Sequence, residues 1–193
     1  MYDRRVNWKH EFDETRALLS GHFRLSSGLH SDRYLQCALI LQWPERARRI
    51  GDALGELLGS FEPAVVVGPA LGGVIVGHET ARALGVRCVF TERKDGTMQL
   101  RRGFSFEKGE RAVVVEDVFT TGKSTRETIA AVEHQGAHVV AAGSIVDRGL
   151  PPDALVVPWR SLLAVDAPAW PENACPLCAE GFPLEAPGSR HPV

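Results

Sequence analysis

The sequence predicts an α/β fold with a mostly parallel sheet and helices on both of its faces. From residue 64 onward, apolar strand patterns alternate with helix patterns, and short turns that contain glycine separate them. Strand-helix-strand units of this kind join parallel strands, and their ligands bind at the carboxyl ends of the strands. With 193 residues, of which 44% are hydrophobic, the chain is long enough to bury one such core.

Two helices are predicted before this core. A short amphipathic pattern over residues 12–19 ends near Gly21, and a longer one covers residues 44–58. The longer pattern has Pro44 in its first turn, apolar residues on one face and Gly59 just beyond its end, which are typical signals of helix start and stop. The segment of residues 26–36 lies between the two.

The core is predicted element by element from the apolar periodicity and the turn residues. The predicted elements are a strand at 64–67, a turn at 68–73, a helix at 74–84 that ends at Gly85, a strand at 86–91, a hairpin at Asp95-Gly96, a strand at 113–115, a helix at 124–135 that ends at Gly136, and a strand at 138–146.

After Pro151 the frequent prolines interrupt any long element. We expect a last strand at 162–165 and an irregular tail that packs over the N-terminal segment as a small hood. The chain is therefore predicted to be a single domain, with a hood segment of about residues 1–60, a core of about 61–167 and a tail of about 168–193.

The most informative segment is VVVEDVFTTGKST at residues 113–125. Its apolar start is typical of a buried strand, and Ser124 with Glu127 has the spacing of a capping box that begins a helix. The intervening loop then lies at a helix N-terminus, where free N–H groups and the helix dipole favour a phosphate. The carboxylates of Glu116 and Asp117 suit ribose hydroxyls or Mg²⁺.

The segment has two other possible interpretations. Gly122-Lys123-Ser124 matches the end of a P-loop, but Asp117 stands where that motif needs its first glycine. The acidic pair could also be an ordinary surface feature at the end of a strand, although the whole pattern of thirteen residues argues against that.

The segment resembles the phosphoribosyl pyrophosphate (PRPP) signature of the type I phosphoribosyltransferases, an acidic pair followed by T-x-G-x-[ST]. HFRLSSGLHSDRYLQ at residues 22–36 resembles a segment of the orotate phosphoribosyltransferases, and VVGPALGGVIVGHETARALG at 66–85 resembles the family's pyrophosphate-binding turn and following helix, a turn that often has a non-proline cis peptide. The resemblance implies transfer of a phosphoribosyl group from PRPP to orotate in pyrimidine biosynthesis, with Mg²⁺ as cofactor, by a homodimer.

The resemblance also implies roles for individual residues. The catalytic set is Glu116, Asp117, Arg93 and Lys94. The PRPP site adds Thr120, Thr121, Gly122, Lys123, Ser124 and Thr125 for the 5′-phosphate, Leu71, Gly72 and Gly73 for pyrophosphate, and Arg101 and Arg102. The orotate site comprises Ser27, Gly28, Tyr34, Thr120 and Arg148, and Mg²⁺ is held by Asp117 together with the substrate pyrophosphate.

The chain departs from the family pattern in two places. The loop after Arg93-Lys94 lacks the usual lysine and histidine, so Arg101 and Arg102 either supply the charge or form a solvated basic hairpin. The family's lysine before Ser-Gly is Ser26. For Arg148 the alternative is a surface arginine paired with Asp147.

Two other functions are alternatives to orotate transfer. A purine phosphoribosyltransferase would lack the SSGLHSDRY segment, and a PRPP-sensing regulator is favoured by the missing loop lysine. A net charge of −2 and a pI near 6.4 favour neither nucleic-acid nor membrane binding. No apolar run approaches about 20 residues, and the N-terminus is too charged for a signal peptide, so we expect a cytoplasmic protein.

The four cysteines do not form a disulfide framework in a chain of this size. Cys37 and Cys88 are predicted to be small buried hydrophobic residues. Cys175 and Cys178 have the spacing of half a zinc site, with His191 as the only additional ligand nearby. A lone C-x-x-C pair is a weak signal, which favours a structural or redox-accidental role and leaves a bound metal as the alternative.

Overall fold

A six-stranded sheet forms the centre of the computed structural model, which describes residues 6–25 and 27–187. The helices are α1 (Trp8–Glu14), α2 (Ala38–Leu41), α3 (Pro44–Leu58), α4 (Gly72–Leu84), α5 (Lys123–His134) and α6 (Pro176–Ala179). The strands are β1 (Leu18–Arg24), β2 (His30–Leu35), β3 (Val65–Pro69), β4 (Arg87–Lys94), β5 (Thr97–Leu100), β6 (Arg111–Phe119), β7 (His138–Asp147), β8 (Trp159–Ala164) and β9 (Ala169–Trp170).

The order of strands in the main sheet is β5-β4-β3-β6-β7-β8. Every neighbouring pair is parallel except β4 and β5, which form an antiparallel hairpin around Asp95 and Gly96. Both turn residues have positive φ, as the favoured two-residue hairpin turns require. The predicted mostly parallel sheet is therefore confirmed.

Helices pack on both faces of this sheet, and successive valines of β6 contact them on opposite sides. Val113 and Val115 belong to one buried cluster, which includes side chains of α3 and α4. Val114 belongs to a second cluster on the opposite face, which includes Ile129 and Val132 of α5. Successive side chains of a strand point to opposite faces, so this alternation accounts for a buried strand covered on both sides.

A second, three-stranded sheet has the order β1-β2-β9, and both of its pairs are antiparallel. We call this sheet, with the residues that follow β9, the hood. In the tail, the Glu185 amide donates a hydrogen bond to the His22 carbonyl, and the Glu185 carbonyl accepts one from the Arg24 amide, both at 2.8 Å. The predicted packing of the tail over the N-terminal segment is thus observed, although the tail is less irregular than expected.

The prediction of a helix at residues 12–19 was wrong. The helix ends at Glu14, Arg16 adopts a left-handed conformation with φ 56°, and Leu18 begins β1 opposite Leu35. Strand pairing with a distant segment overrides the local helical periodicity there. By contrast, α3 has the predicted bounds, and Gly85 ends α4 with φ 70°.

The remaining core elements agree with prediction apart from their ends. Strand β8 begins at Trp159, three residues before the predicted start, and α2 was not predicted. Among the described helices, none has the length and apolar character needed to cross a membrane.

Candidate active site

The loop between β6 and α5 lines an open cavity of about 190 Å³. Gly122 is the N-cap of α5, with φ 72°, and a Cβ at this position would lie 2.9 Å from the Leu150 Cδ1 atom. The loop thus depends on a residue without a side chain. The cavity is lined by Glu116, Asp117, Val118, Thr120, Thr121, Gly122, Lys123, Ser124 and Thr125, which include every residue predicted for the 5′-phosphate.

The predicted capping box was wrong. No side chain caps α5, because Gly122 occupies the N-cap and Ser124 already lies within the helix. Glu127 instead forms an ion pair with Arg93 of β4. The amides of the first helical turn have no helical acceptor, so they remain suited to an anion.

The acidic pair lies at the carboxyl end of β6, at the edge of this cavity. Glu116 is buried, and burial together with the negative charge of Asp117 raises its pKa to about 9. Burial also raises the pKa of Asp117, whose Oδ1 accepts a 2.9 Å hydrogen bond from the Val118 amide. Two desolvated carboxyl groups side by side favour a cation or the hydroxyl groups of a ligand.

The predicted pyrophosphate turn lies directly against the acidic pair. A Cβ on Gly72 would be 2.5 Å from the Asp117 carboxylate, and a Cβ on Gly73 would be 2.7 Å from the Val115 carbonyl oxygen. The peptide between Ala70 and Leu71 is cis, as the family resemblance implied. The two predicted halves of the PRPP site, whose contacting residues Gly72 and Asp117 are 45 residues apart in sequence, are therefore contiguous in space.

The cations of the hairpin are engaged with acidic groups of the same chain. Arg93 pairs with Glu127 and also donates a 2.7 Å hydrogen bond to the Gly96 carbonyl. Arg102 forms a bidentate contact with Glu92, at 2.8 and 3.0 Å, and Arg101 lies 3.5 Å from the same carboxylate.

The sequence left open whether Arg101 and Arg102 supply charge to the active site or form a solvated basic hairpin, and these ion pairs bear on that choice. Arg101 and Arg102 are exposed, but each has a carboxylate partner on β4. Lys94 is also exposed, at the end of β4. Arg101 or Arg102 would therefore exchange an ion pair at an exposed position, which contributes little, for a phosphate contact.

Arg148 is half-buried between the sheet and the hood. Its guanidinium donates to the Ser31 hydroxyl at 3.2 Å and to the Ala167 carbonyl at 3.4 Å, and burial lowers its pKa. Asp147 accepts instead from the amides of Gly149 and Leu150, so the alternative of an Arg148–Asp147 surface pair is not observed.

The other predicted orotate residues lie in the hood, apart from Thr120, which lies in the phosphate loop. Ser27 and Gly28 are exposed in the turn between β1 and β2, where Gly28 has φ 84°. Tyr34 lies on β2, and its ring contacts that of Phe23 with centroids 5.8 Å apart. Ser26 lies outside the described residues.

Residues 38–172 match the phosphoribosyl transferase domain family. The orotate phosphoribosyltransferase of Thermotoga petrophila is 48% identical over 182 residues, which are 94% of this chain and 97% of that protein. The chain belongs to the orotate phosphoribosyltransferase family. Among solved structures, the family member of Aeropyrum pernix has a TM-score of 0.70 at 29% identity, covering 80% of this chain and 91% of that one. The Mycobacterium tuberculosis member in complex with PRPP has a TM-score of 0.62 at 26% identity, covering 81% and 94%.

Two residues near the site were not assigned a role from the sequence. Ser31 is fully buried and joins Arg148 to the tail, because its hydroxyl also donates to the Pro168 carbonyl at 2.7 Å. It is the third serine of the segment at residues 22–36, so the motif contained this signal. Cys37 is buried as predicted, with its sulfur 3.9 Å from the Asp117 carbonyl oxygen, whereas Cys88 is only partly buried.

Proposed function

We propose that this chain is an enzyme that transfers the phosphoribosyl group of PRPP to orotate, giving orotidine 5′-phosphate and pyrophosphate. The observation that carries the proposal is the contact between the Asp117 carboxylate and Gly72, which joins the ribose side and the pyrophosphate side of a single PRPP site. Transfer activity is also what the names of the similar proteins state.

In this reaction a ring nitrogen of orotate displaces pyrophosphate from C1 of the ribose. The transition state resembles an oxocarbenium ion, so the enzyme has to align two anions and exclude water. The loop of residues 120–125 suits the 5′-phosphate because helix amides and hydroxyl groups converge on the cavity. No covalent nucleophile is needed.

We assign Glu116 and Asp117 to the ribose hydroxyls. The pKa of about 9 keeps Glu116 protonated in the free protein at neutral pH, so this carboxyl can donate as well as accept a hydrogen bond. Mg²⁺ fits the same donor set, because hard cations prefer carboxylate oxygens, and Asp117 with the substrate pyrophosphate would hold it. When bound, the ion neutralises charge on the departing pyrophosphate.

We assign Arg148 to the carboxylate of orotate. A planar guanidinium can bind a carboxylate through two parallel hydrogen bonds, and its half-buried position would strengthen that contact. Ser31 holds the guanidinium in place from the hood. Ser27, Gly28 and Tyr34 remain proposed contacts of the base.

The decisive experiment is incubation of the protein with PRPP, Mg²⁺ and one base at a time, with release of pyrophosphate as the readout. Orotate, uracil, hypoxanthine, adenine and xanthine are compared, and Asp117→Asn serves as the inactive control. Release with orotate alone supports the proposal. Release with a purine would indicate a purine phosphoribosyltransferase, and PRPP binding without release would indicate a regulator.

We further propose a homodimer in which the β4-β5 hairpin reaches the neighbouring active site. Arg93, Arg101 and Arg102 of this hairpin have exposed side chains that pair with carboxylates of their own chain, and a phosphate can replace such pairs at little cost. Because PRPP is a polyanion that does not cross a bilayer unaided, we place the reaction in the cytoplasm.

A mixing experiment tests the shared site. An inactive Asp117→Asn subunit is combined with an inactive subunit that carries Arg93→Ala, Arg101→Ala and Arg102→Ala. A heterodimer would contain one site with both sets of residues intact, so part of the activity should return. If heterodimers form and turnover stays absent, the hairpin acts within its own subunit or has no catalytic role.

A further inference from the structure

Four side chains with metal-binding atoms converge in the hood, away from the phosphate loop. They are His22 of β1, His30 of β2, Cys175 immediately before α6, and Cys178 within α6. All four ligand atoms lie within 4.8 Å of one another, although the histidines and cysteines are about 150 residues apart in sequence.

We propose that His22, His30, Cys175 and Cys178 bind one structural Zn²⁺ ion that joins the hood hairpin to the C-terminal tail. His191, which the sequence offered as the nearest additional ligand, lies outside the described residues. The two histidines instead come from the opposite end of the chain.

Four of the six distances between the ligand atoms lie within about 0.3 Å of those around a tetrahedral zinc ion. Zinc bonds of about 2.3 Å to sulfur and about 2.0 Å to nitrogen place neighbouring ligand atoms roughly 3.3 to 3.8 Å apart. The His22 Nε2 atom is 3.5 Å from the Cys175 sulfur and 3.6 Å from the Cys178 sulfur. The His30 Nδ1 atom is 3.2 Å from the Cys178 sulfur and 3.0 Å from His22 Nε2.

The orientation of His22 supports the same conclusion. Its Nδ1 atom lies 2.9 Å from the Phe182 carbonyl oxygen, an acceptor that requires the proton to be on Nδ1. The lone pair of Nε2 is then directed at the two sulfurs. A backbone carbonyl that fixes the tautomer of a histidine in this way is the usual outer partner of a zinc ligand.

The donor set selects the class of metal and its role. Two thiolates and two imidazoles favour zinc over magnesium or calcium, which prefer oxygen ligands. Four protein ligands leave no position for a substrate, so the ion is structural. It would connect β1, β2 and the tail, which in the described part of the chain pair through the short strand β9 and the backbone hydrogen bonds of Glu185. Neither cysteine forms a disulfide.

The first test is the metal content of the protein as purified and after addition of Zn²⁺ under reducing conditions. We expect one zinc per chain by mass spectrometry. Cys178→Ala and His30→Ala should retain less than about a tenth of it. Cys88→Ala and His78→Ala are matched controls that remove a thiol and an imidazole elsewhere, and they should retain all of it.

The second test uses the wild-type chain, so it does not depend on whether a variant folds. Cobalt replacing zinc should give the visible absorption bands of a tetrahedral site with thiolate ligands. Removal of zinc with a chelator should lower the melting temperature by about 5 °C or more, and added Zn²⁺ should restore it.

Three results would overturn the proposal. They are a wild-type chain that takes up no zinc, full zinc content in both Cys178→Ala and His30→Ala, and a Cys175–Cys178 disulfide that persists under reducing conditions. None of these measurements involves catalysis, so their outcome is independent of the proposed transferase activity.

Discussion

Replacing Glu116 with glutamine is expected to stabilise the free protein at neutral and alkaline pH. Burial first, and the charge of Asp117 second, raise the pKa of Glu116 from 4.5 to about 9. Between these values the folded chain holds a proton that the unfolded chain has released. The stability contributed by this carboxyl is therefore complete below about pH 4.5 and is lost as the pH rises towards 9. Glutamine has nearly the same shape and no such proton.

The magnitude follows from the shift. A pH of about 7.5 lies about three units above the ordinary glutamate pKa of 4.5. At 1.36 kcal/mol per unit, the wild type has then lost about 4 kcal/mol of unfolding free energy. Glu116→Gln should avoid this loss, so its advantage in unfolding free energy should grow with pH. The same variant is expected to turn over PRPP more slowly, because stability and activity oppose each other at such sites.

The assay is urea unfolding, followed by circular dichroism at a series of pH values without PRPP or Mg²⁺. Glu92→Gln is the matched control of opposite sign, because the hydrogen bond from Arg102 lowers the pKa of the partly exposed Glu92. The unfolding free energy of Glu92→Gln relative to wild type should not increase as the pH rises. If the difference between Glu116→Gln and wild type does not change with pH, Glu116 titrates normally and the reasoning is refuted.

Further predictions concern the contact between Gly72 and Asp117 and the assignment of Arg148 to the orotate carboxylate. Gly72→Ala would place a Cβ 2.5 Å from the Asp117 carboxylate, so the KM for PRPP should rise at least about tenfold. Gly59→Ala, whose Cβ would meet only Leu84 at 3.6 Å, should leave kinetics unchanged, and equal effects of both changes would contradict the assignment. Arg148→Ala should raise the KM for orotate at least about tenfold and that for PRPP much less, whereas exposed Arg160→Ala should change neither. Equal rises for both substrates would remove Arg148 from the base site.

Local patterns predicted much of the core because burial against the sheet reinforces local preference there. The apolar face of α3, with proline at its start and glycine beyond its end, marked both of its ends. Gly85 and the turn at Asp95 and Gly96 require positive φ, which the residue types themselves indicate. The motif at residues 113–125 likewise placed an acidic pair before a helix N-terminus.

Prediction was wrong where a residue's environment comes from distant parts of the chain. The apolar residues near the N-terminus have helical spacing, yet Leu18 pairs with Leu35 in the hood. Ser124 and Glu127 have the spacing of a capping box, but a left-handed Gly122 begins the helix, and Arg93 from another strand attracts Glu127. Sequence spacing does not show which partner competes for a side chain.

The sequence by itself determined the order of the strands and helices in the core, the glycine positions and the residue types of the predicted PRPP site, because these depend on local periodicity and local chemistry. Only the tertiary structure decided that Gly72 touches Asp117, that the hairpin arginines pair with Glu92 and Glu127, and that the two histidines of the hood meet the cysteines of the tail. Such contacts arise because the twisted sheet and the returning tail bring distant segments together. The separation of two residues in sequence does not show how close they lie in space.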